Sequence, residues 1–285
     1  MLTGQALLND IRKCALREGQ CALWWLGQSS LIIKLGQTVV GLDLFLSRHD
    51  RRRIPPLLKP NQCAGFNLIL GTHDHRDHID RPTWPASAQA SPEALFVVPA
   101  FLLPRLANDL SIPSERFIGL DDGTFVETNG IRITGIAAAH ELLDRDPATG
   151  HYPYLGFIVE AHGFRLYHSG DCCVYEGLQN RIARRPLDLA LLPINGRDAR
   201  RLASNCIGNM TYQEAADLAG ALSPGLTIPM HYDMFEHNSE DPQLFLDYMR
   251  VKYPRLKTAL CRHGARMIIR SARHPEMDPA ILKIP

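Results

Sequence analysis

The sequence predicts a mixed α/β chain of four layers, two sheets packed face to face with helices outside. Three observations carry that prediction. Strand-like apolar runs outnumber helical ones, the helical segments fall at the ends of strand groups, and no linker or low-complexity stretch divides the chain. Residues 1–285 therefore read as one domain. At 45% hydrophobic and 21% charged residues, the chain has the composition of a soluble globular protein with a large core.

The elements follow in order. Leu7, Leu8, Ile11, Cys14 and Ala15 fall at helical spacing, with Gly19 as the stop. Ala22 to Leu26, Ser30 to Leu35 and Thr38 to Leu42 form a meander of short strands ending in Asp43. A basic loop follows, holding Arg48, His49, Arg51, Arg52 and Arg53; it reads as a solvated surface, with a grip on phosphate as the secondary reading. Asn67 to Gly71 and Leu95 to Val98 are strands, Phe101 to Leu110 a short helix. Further strands are expected at Arg116 to Leu120, Phe125 to Glu127, Ile131 to Ala137, Leu155 to Glu160 and Phe164 to His168, punctuated by Asp122-Gly123, Asn129-Gly130 and His162-Gly163. Leu187 to Ile194 is apolar throughout, as a strand covered on both faces would be. Thr211 and Glu214 form a capping box for a helix ending near Leu222, and strand Leu226 to Met230 comes next. Asp241-Pro242 opens the last helix; Thr258 to Cys261 and Met267 to Arg270 are read as closing strands.

Bulk properties exclude several classes. The 31 basic and 30 acidic residues leave a formal charge of +1, so no nucleic-acid surface is expected. No apolar run approaches the ~18 to 20 residues that span a bilayer, and no membrane partner is expected. Met1 to Gly19 lacks the features of a signal peptide. Seven cysteines without a regular framework fit a reducing compartment, so the expected location is the cytoplasm. Cys172-Cys173 is read as a small buried pair.

The chemistry is concentrated in Thr72-His73-Asp74-His75-Arg76-Asp77-His78-Ile79-Asp80, directly after a short apolar strand. A turn leaving a strand aims alternate side chains at one point, so His73 and His75 can grip one ion while Asp77 and His78 turn toward a second. Imidazole with carboxylate suits zinc, manganese or iron; calcium and magnesium prefer oxygen alone. Three later residues each stand alone just past an apolar strand: His140, Asp171 and His231. Singly each would be a loop residue. Together with the cluster they read as the remaining ligands.

This order, Thr-His-x-His-x-Asp-His, a lone His, Ser-Gly-Asp and a final His, resembles the metallo-β-lactamase superfamily from Asp43 to His231. The resemblance implies an αβ/βα sandwich with the site at one edge of the sheets. It implies that His73, His75 and His140 bind a first metal, that Asp77, His78 and His231 bind a second, and that Asp171 bridges. Asp43 corresponds to an acidic residue that supports the metal loop without touching metal. Trp24-Trp25-Leu26-Gly27, Leu166 to Asp171 and Ile228 to Asp233 are similar to the L-ascorbate-6-phosphate lactonases, which carry an acidic residue where this chain has His140.

The expected cofactor is therefore one or two Zn²⁺ or Mn²⁺ per chain. The expected reaction is opening of a lactone of a sugar phosphate or related small ester by metal-bound hydroxide, with Asp77 and Asp171 orienting it and taking its proton. Asn195, Arg197 and Arg200, with Arg201 on the same loop, are candidate contacts for a substrate phosphate, and Asp233 for substrate hydroxyls. Glu141 to Pro153, with Pro147, Gly150 and Pro153, has the composition of a lid. His168 is read as a satisfied sheet residue. A homo-oligomer acting on a small molecule is expected. The alternatives are a phosphodiesterase or RNA-processing nuclease with the same metal set, and a non-catalytic ligand-binding protein.

Overall fold

The computed structural model describes residues 1–272. Helix α1 (Gly4–Lys13) leads into β1 (Gln20–Gly27), β2 (Ser30–Leu35) and β3 (Thr38–Leu42), an antiparallel meander. β4 (Leu68–Leu70), α2 (Trp84–Ala90), β5 (Leu95–Pro99), α3 (Leu103–Leu110) and β6 (Phe117–Leu120) follow, with β3 to β6 all parallel. The second sheet begins with β7 (Phe125–Thr128), β8 (Ile131–Ala137), β9 (Leu155–Ala161) and β10 (Phe164–His168), joined antiparallel. After α4 (Leu178–Ile182) come β11 (Leu189–Pro193), α5 (Ala199–Ala203), α6 (Tyr212–Leu222), β12 (Leu226–Met230) and α7 (Pro242–Lys252). β13 (Arg266–Arg270) returns to pair antiparallel with β1. The sheets run β13-β1-β2-β3-β4-β5-β6 and β12-β11-β10-β9-β8-β7.

Alternation along β1 shows why the sheets stack. Cys21, Leu23 and Trp25 point into the core shared with Ile133, Phe157 and Val159 of the other sheet. Ala22, Trp24 and Leu26 point outward to Leu7, Leu8 and Ile11 of α1. α2 and α3 cover the same outer face through Trp84, Ala88, Leu106 and Leu110. α4, α6 and α7 add Ile182, Ala215, Ala219, Phe245 and Met249 to the large core, on the outer side of β11 and its neighbours. This is the expected four-layer sandwich.

Several strand ends shift by a residue or two, and three larger departures from the sequence expectation each have a local reason. α1 ends at Lys13 rather than near Gly19, because buried Lys34 of β2 donates from Nζ to the carbonyls of Ile11, Arg12 and Cys14, at 3.1, 3.4 and 2.8 Å. That ammonium satisfies the orphan carbonyls at a helix end and suits the negative end of its dipole. Thr258 to Cys261 is not a strand: only Thr258 bridges Thr227 before the chain turns at Gly264 to reach β13. α2, α4 and α5, of seven, five and five residues, are too short to show a helical period in sequence. Elsewhere β2, β3, β8, β10, β12 and α6 have the expected bounds, and the capping box forms, with Thr211 Oγ1 accepting from Glu214 N and Glu214 Oε2 from Thr211 N.

β8, β10, β11 and β12 run in one direction in the second sheet, as do β3 and β4 in the first. Their C-terminal ends meet at one edge of the sandwich, where ligands gather in such sheets. Among the described residues no helix is long and apolar enough to cross a membrane.

Candidate metal centre

Each candidate ligand leaves the end of a strand, and local contacts fix where it points. Asp43 follows β3 with φ 46°, His73 to His78 follow β4, His140 lies three residues past β8, and Asp171 lies three past β10. Gly170 takes φ 59° and packs on Thr72: a Cβ there would come within 2.8 Å of Thr72 Cβ, so only glycine lets the Asp171 turn lie against the metal loop. His140 is stitched to the same turn, because Cys173 N donates to Ala139 O at 2.7 Å. His231 directly follows β12 with φ 60°, its N–H donating to Gln28 O at 3.1 Å across the seam between the sheets.

The side chains converge in two groups. His73 Nε2 and His140 Nε2 lie 2.9 and 3.2 Å from His75 Nδ1. Asp77, His78 and His231 form the second group, with Asp77 Oδ2 3.8 and 3.7 Å from the Nε2 atoms of His78 and His231. Asp171 stands between them. Its Oδ2 faces His140 Nε2 at 3.7 Å, and its Oδ1 faces His78 and His231 Nε2 at 3.2 and 3.1 Å. All seven sequence-predicted ligands are therefore brought together.

The donor set fits divalent cations. Ligands at 2.0–2.1 Å and ordinary coordination angles stand about 2.9–3.4 Å apart, the spacing of His75 from His73 and from His140. His78 Nε2 and Asp171 Oδ1 are buried and face each other at 3.2 Å, a juxtaposition that needs a proton or a cation between the two lone pairs. Charge balance agrees. Burial is the largest influence on His73, His75 and His140 and pushes all three below the ordinary imidazole range, His140 to about 4, leaving neutral donors. Burial also works to raise the Asp171 carboxyl, but the charges of His231 and His78 outweigh it and hold it well below the carboxylate range. His78 goes the other way: burial lowers it, yet Asp171, Asp43 and Asp77 together favour positive charge at its ring. A cation would supply that charge.

Asp43 anchors the arrangement from behind. Its Oδ1 accepts from Thr72 N at 2.8 Å; its Oδ2 accepts from Thr72 Oγ1, His78 Nδ1 and His168 Nε2 at 2.9, 2.7 and 3.0 Å. Burial alone would raise this carboxyl, but His78 and His168 hold it down to about 2. With Nδ1–H of His78 committed, Nε2 is the atom left for the site. Asn tolerates the left-handed backbone at this position, so Asp43→Asn removes the charge without straining the chain. Metal affinity is expected to fall roughly 10- to 100-fold, measured by competition with a chromophoric chelator. Wild-type affinity would deny Asp43 this role.

Two supporting residues escaped the sequence reading. Gln28, in the turn between β1 and β2, places Nε2 3.2 Å from Asp77 Oδ2 and 3.1 Å from His231 Nε2; the sequence signal is its place directly after Trp24-Trp25-Leu26-Gly27. His168 is a buried sheet residue, as expected, but its partner is Asp43.

The candidate substrate contacts fare differently. Arg197 makes a two-pronged ion pair with Glu214 at 2.6 and 2.7 Å and donates to Asn209 O. Arg201 is held by Asp198 and by Ser239 O. Arg200 is exposed on α5. Buried Asn195 donates to Asn238 Oδ1 at 2.6 Å and accepts from Asn209 Nδ2 at 3.1 Å. Asp233 lies past His231 with φ 63°, its Oδ1 3.4 Å from His263 Nε2. None of these five belongs to the metal-holding groups. The Glu141 to Pro153 segment is pinned by His151 Nδ1 to Asp121 Oδ2 at 2.8 Å. Asp74, between two ligands, turns outward to Arg81 and Arg105.

Residues 38–232 match the family described as the beta-lactamase superfamily domain. A UPF0173 metal-dependent hydrolase of Sulfurisphaera tokodaii is 27% identical over 234 residues, covering 79% of this chain and 89% of its own. A protein of Escherichia fergusonii described as a probable L-ascorbate-6-phosphate lactonase is 26% identical over 296 residues, covering 89% of this chain and 81% of its own. Among solved structures, the metallo hydrolase Igni18 from Ignicoccus hospitalis superposes with a TM-score of 0.67 at 20% identity, covering 88% of this chain and 98% of that one.

Proposed function

The chain belongs to the beta-lactamase superfamily domain family and is a metal-dependent hydrolase, and from that premise we propose that it opens the lactone of a sugar phosphate or cleaves a related small ester. The observation that carries this reading is Asp171, one carboxylate presenting an oxygen to each of two nitrogen-rich groups. The similarity to the E. fergusonii protein over most of both chains supports the lactone as substrate.

A divalent cation held by these residues would supply a water acidic enough to attack at neutral pH and a Lewis acid for an acyl oxygen. The chain's own residues do the rest. His73, His75 and His140 present neutral nitrogens, and Asp77 and Asp171 present carboxylates to the same space. Gln28 donates to Asp77 Oδ2 at 3.2 Å and so fixes the carboxylate that would orient water and take the proton released on attack. The ring oxygen of the substrate leaves as an alkoxide and is protonated, so no serine or cysteine nucleophile is required. Zn²⁺ and Mn²⁺ both suit this donor set. The seven cysteines are all free, which supports a cytoplasmic setting.

Chelation is expected to abolish turnover, and Zn²⁺ or Mn²⁺ to restore it. The test is metal analysis followed by a screen of sugar-phosphate lactones and small esters against phosphodiesters. Activity in a verified metal-free sample overturns the metal mechanism; preference for phosphodiesters overturns the substrate.

A further inference from the structure

Beside the metal ligands, the wall formed by Asp77 continues into a cavity of about 250 Å³ lined by Phe45, His49, Arg51, Arg76 and Phe235 among others. A larger cavity of about 730 Å³ shares His49 and Arg76 but not Asp77, so the smaller one adjoins the chemistry.

Arg76 and Asp77 reach it from the metal loop, and its other walls come from two segments, one following Asp43 and one following His231, joined where Arg53 N donates to Met234 O at 2.9 Å. Each is held from behind. Arg52 lies over the Phe45 ring at 4.4 Å and donates to the carbonyls of Phe45, Ser47 and Ile54. Asp80 accepts from Leu46 N and Ser47 N. The second segment is fixed by Asn195 through Asn238, which lines the cavity, and by Arg201 through Ser239 O. Asn195 and Arg201 thus act on this cavity by positioning its wall.

The lining combines cationic and aromatic side chains. Arg51 has no side-chain hydrogen bond or ion pair among the described residues, and Arg76 has only a 3.5 Å contact with Arg48 O. Arg81, Arg105, Arg132, Arg181 and Arg197 are each paired with a carboxylate. The acid in the lining, Asp77, belongs to the metal-holding set. Phe235 lies tilted against Phe45, centroids 6.2 Å apart, and meets His49 edge-on at 5.4 Å.

We propose that this cavity is the subsite for a remote anionic group of the substrate, a phosphate or carboxylate, held by Arg51 and Arg76 with the uncharged body of the substrate against Phe235. The assignment rests on the hydrolase reading and moves anion recognition from the Arg197 to Arg201 segment to Arg51 on the loop after Asp43 and Arg76 on the metal loop. A guanidinium without a partner can form paired hydrogen bonds to such a group, whereas Arg197 would first have to release Glu214.

The test uses metal-loaded enzyme and three matched lactones or esters that are uncharged, carboxylated or phosphorylated at a position remote from the scissile bond. In Arg51→Ala or Arg76→Ala, the kcat/KM preference for a charged member over the uncharged one is expected to fall tenfold or more, mainly through KM. Which charged member loses preference identifies the anion. Calorimetry with phenyl phosphate and inorganic phosphate gives a readout independent of turnover. Arg51→Ala should weaken phenyl phosphate tenfold or more, and Phe235→Ala should remove its advantage over inorganic phosphate. Unchanged preference and binding in the Arg51 and Arg76 variants, or their loss in Arg200→Ala instead, overturns the subsite. If no substrate is turned over, the hydrolytic reading fails while the binding arm still decides the cavity.

Discussion

Asp171→Ala is expected to lower kcat by about four orders of magnitude and to weaken both metal positions at once. The reason is its placement: Oδ2 faces the His140 side at 3.7 Å, and Oδ1 faces His78 and His231 at close to 3 Å. Removing one ligand from a site costs one bond; removing the shared carboxylate costs both sites a bond and a negative charge. The loss of a group that acts within a cooperating set takes most of the rate with it. Asp171→Asn separates charge from shape, since the amide keeps one oxygen, and should retain more metal than the alanine. Metal content after dialysis and single-turnover rates check both variants. A full metal load with a rate within tenfold of wild type would leave Asp171 outside the centre.

The seven candidate ligands could be singled out in sequence because each lies on, or just past, the loop leaving an apolar run, and the fold brings those strand ends to one edge. The periodic elements were legible for the same reason. What was hidden depends on pairing across the fold. Glu214 was visible as a capping residue, but its carboxylate serves Thr211 N and the Arg197 guanidinium together, so the arginine that read as a phosphate clamp is already engaged. Gln28 carries no motif of its own; it reaches Asp77 only because His231 N is bonded to its carbonyl across the seam. The anionic subsite joins Phe45 to Phe235, segments that no local pattern connects. α1 stopped early because of Lys34, a lysine buried in a strand whose partners lie on a different element.

His140→Ala separates the two halves of the centre. If His140 completes the first group, its loss leaves His73 and His75 with the shared Asp171 and one nitrogen fewer. Asp77, His78, His231 and Asp171 are untouched, so metal content should fall toward one ion per chain, in contrast to the joint loss expected for Asp171→Ala. Turnover should drop at least 100-fold, because the substrate then meets an incomplete site. Stability should change little. The His140 ring packs against His73, His75 and Tyr154 at the rim of the site rather than within the apolar core, and it is held neutral, so no buried ion pair is broken. His140→Asp restores an acidic ligand of the kind the lactonase resemblance implies, and should recover part of the metal and of the rate. Metal analysis, thermal melts and kcat on the same preparations decide the matter. If His140→Ala keeps wild-type occupancy and rate, the residue is no ligand and the centre is mononuclear, built on Asp77, His78, His231 and Asp171.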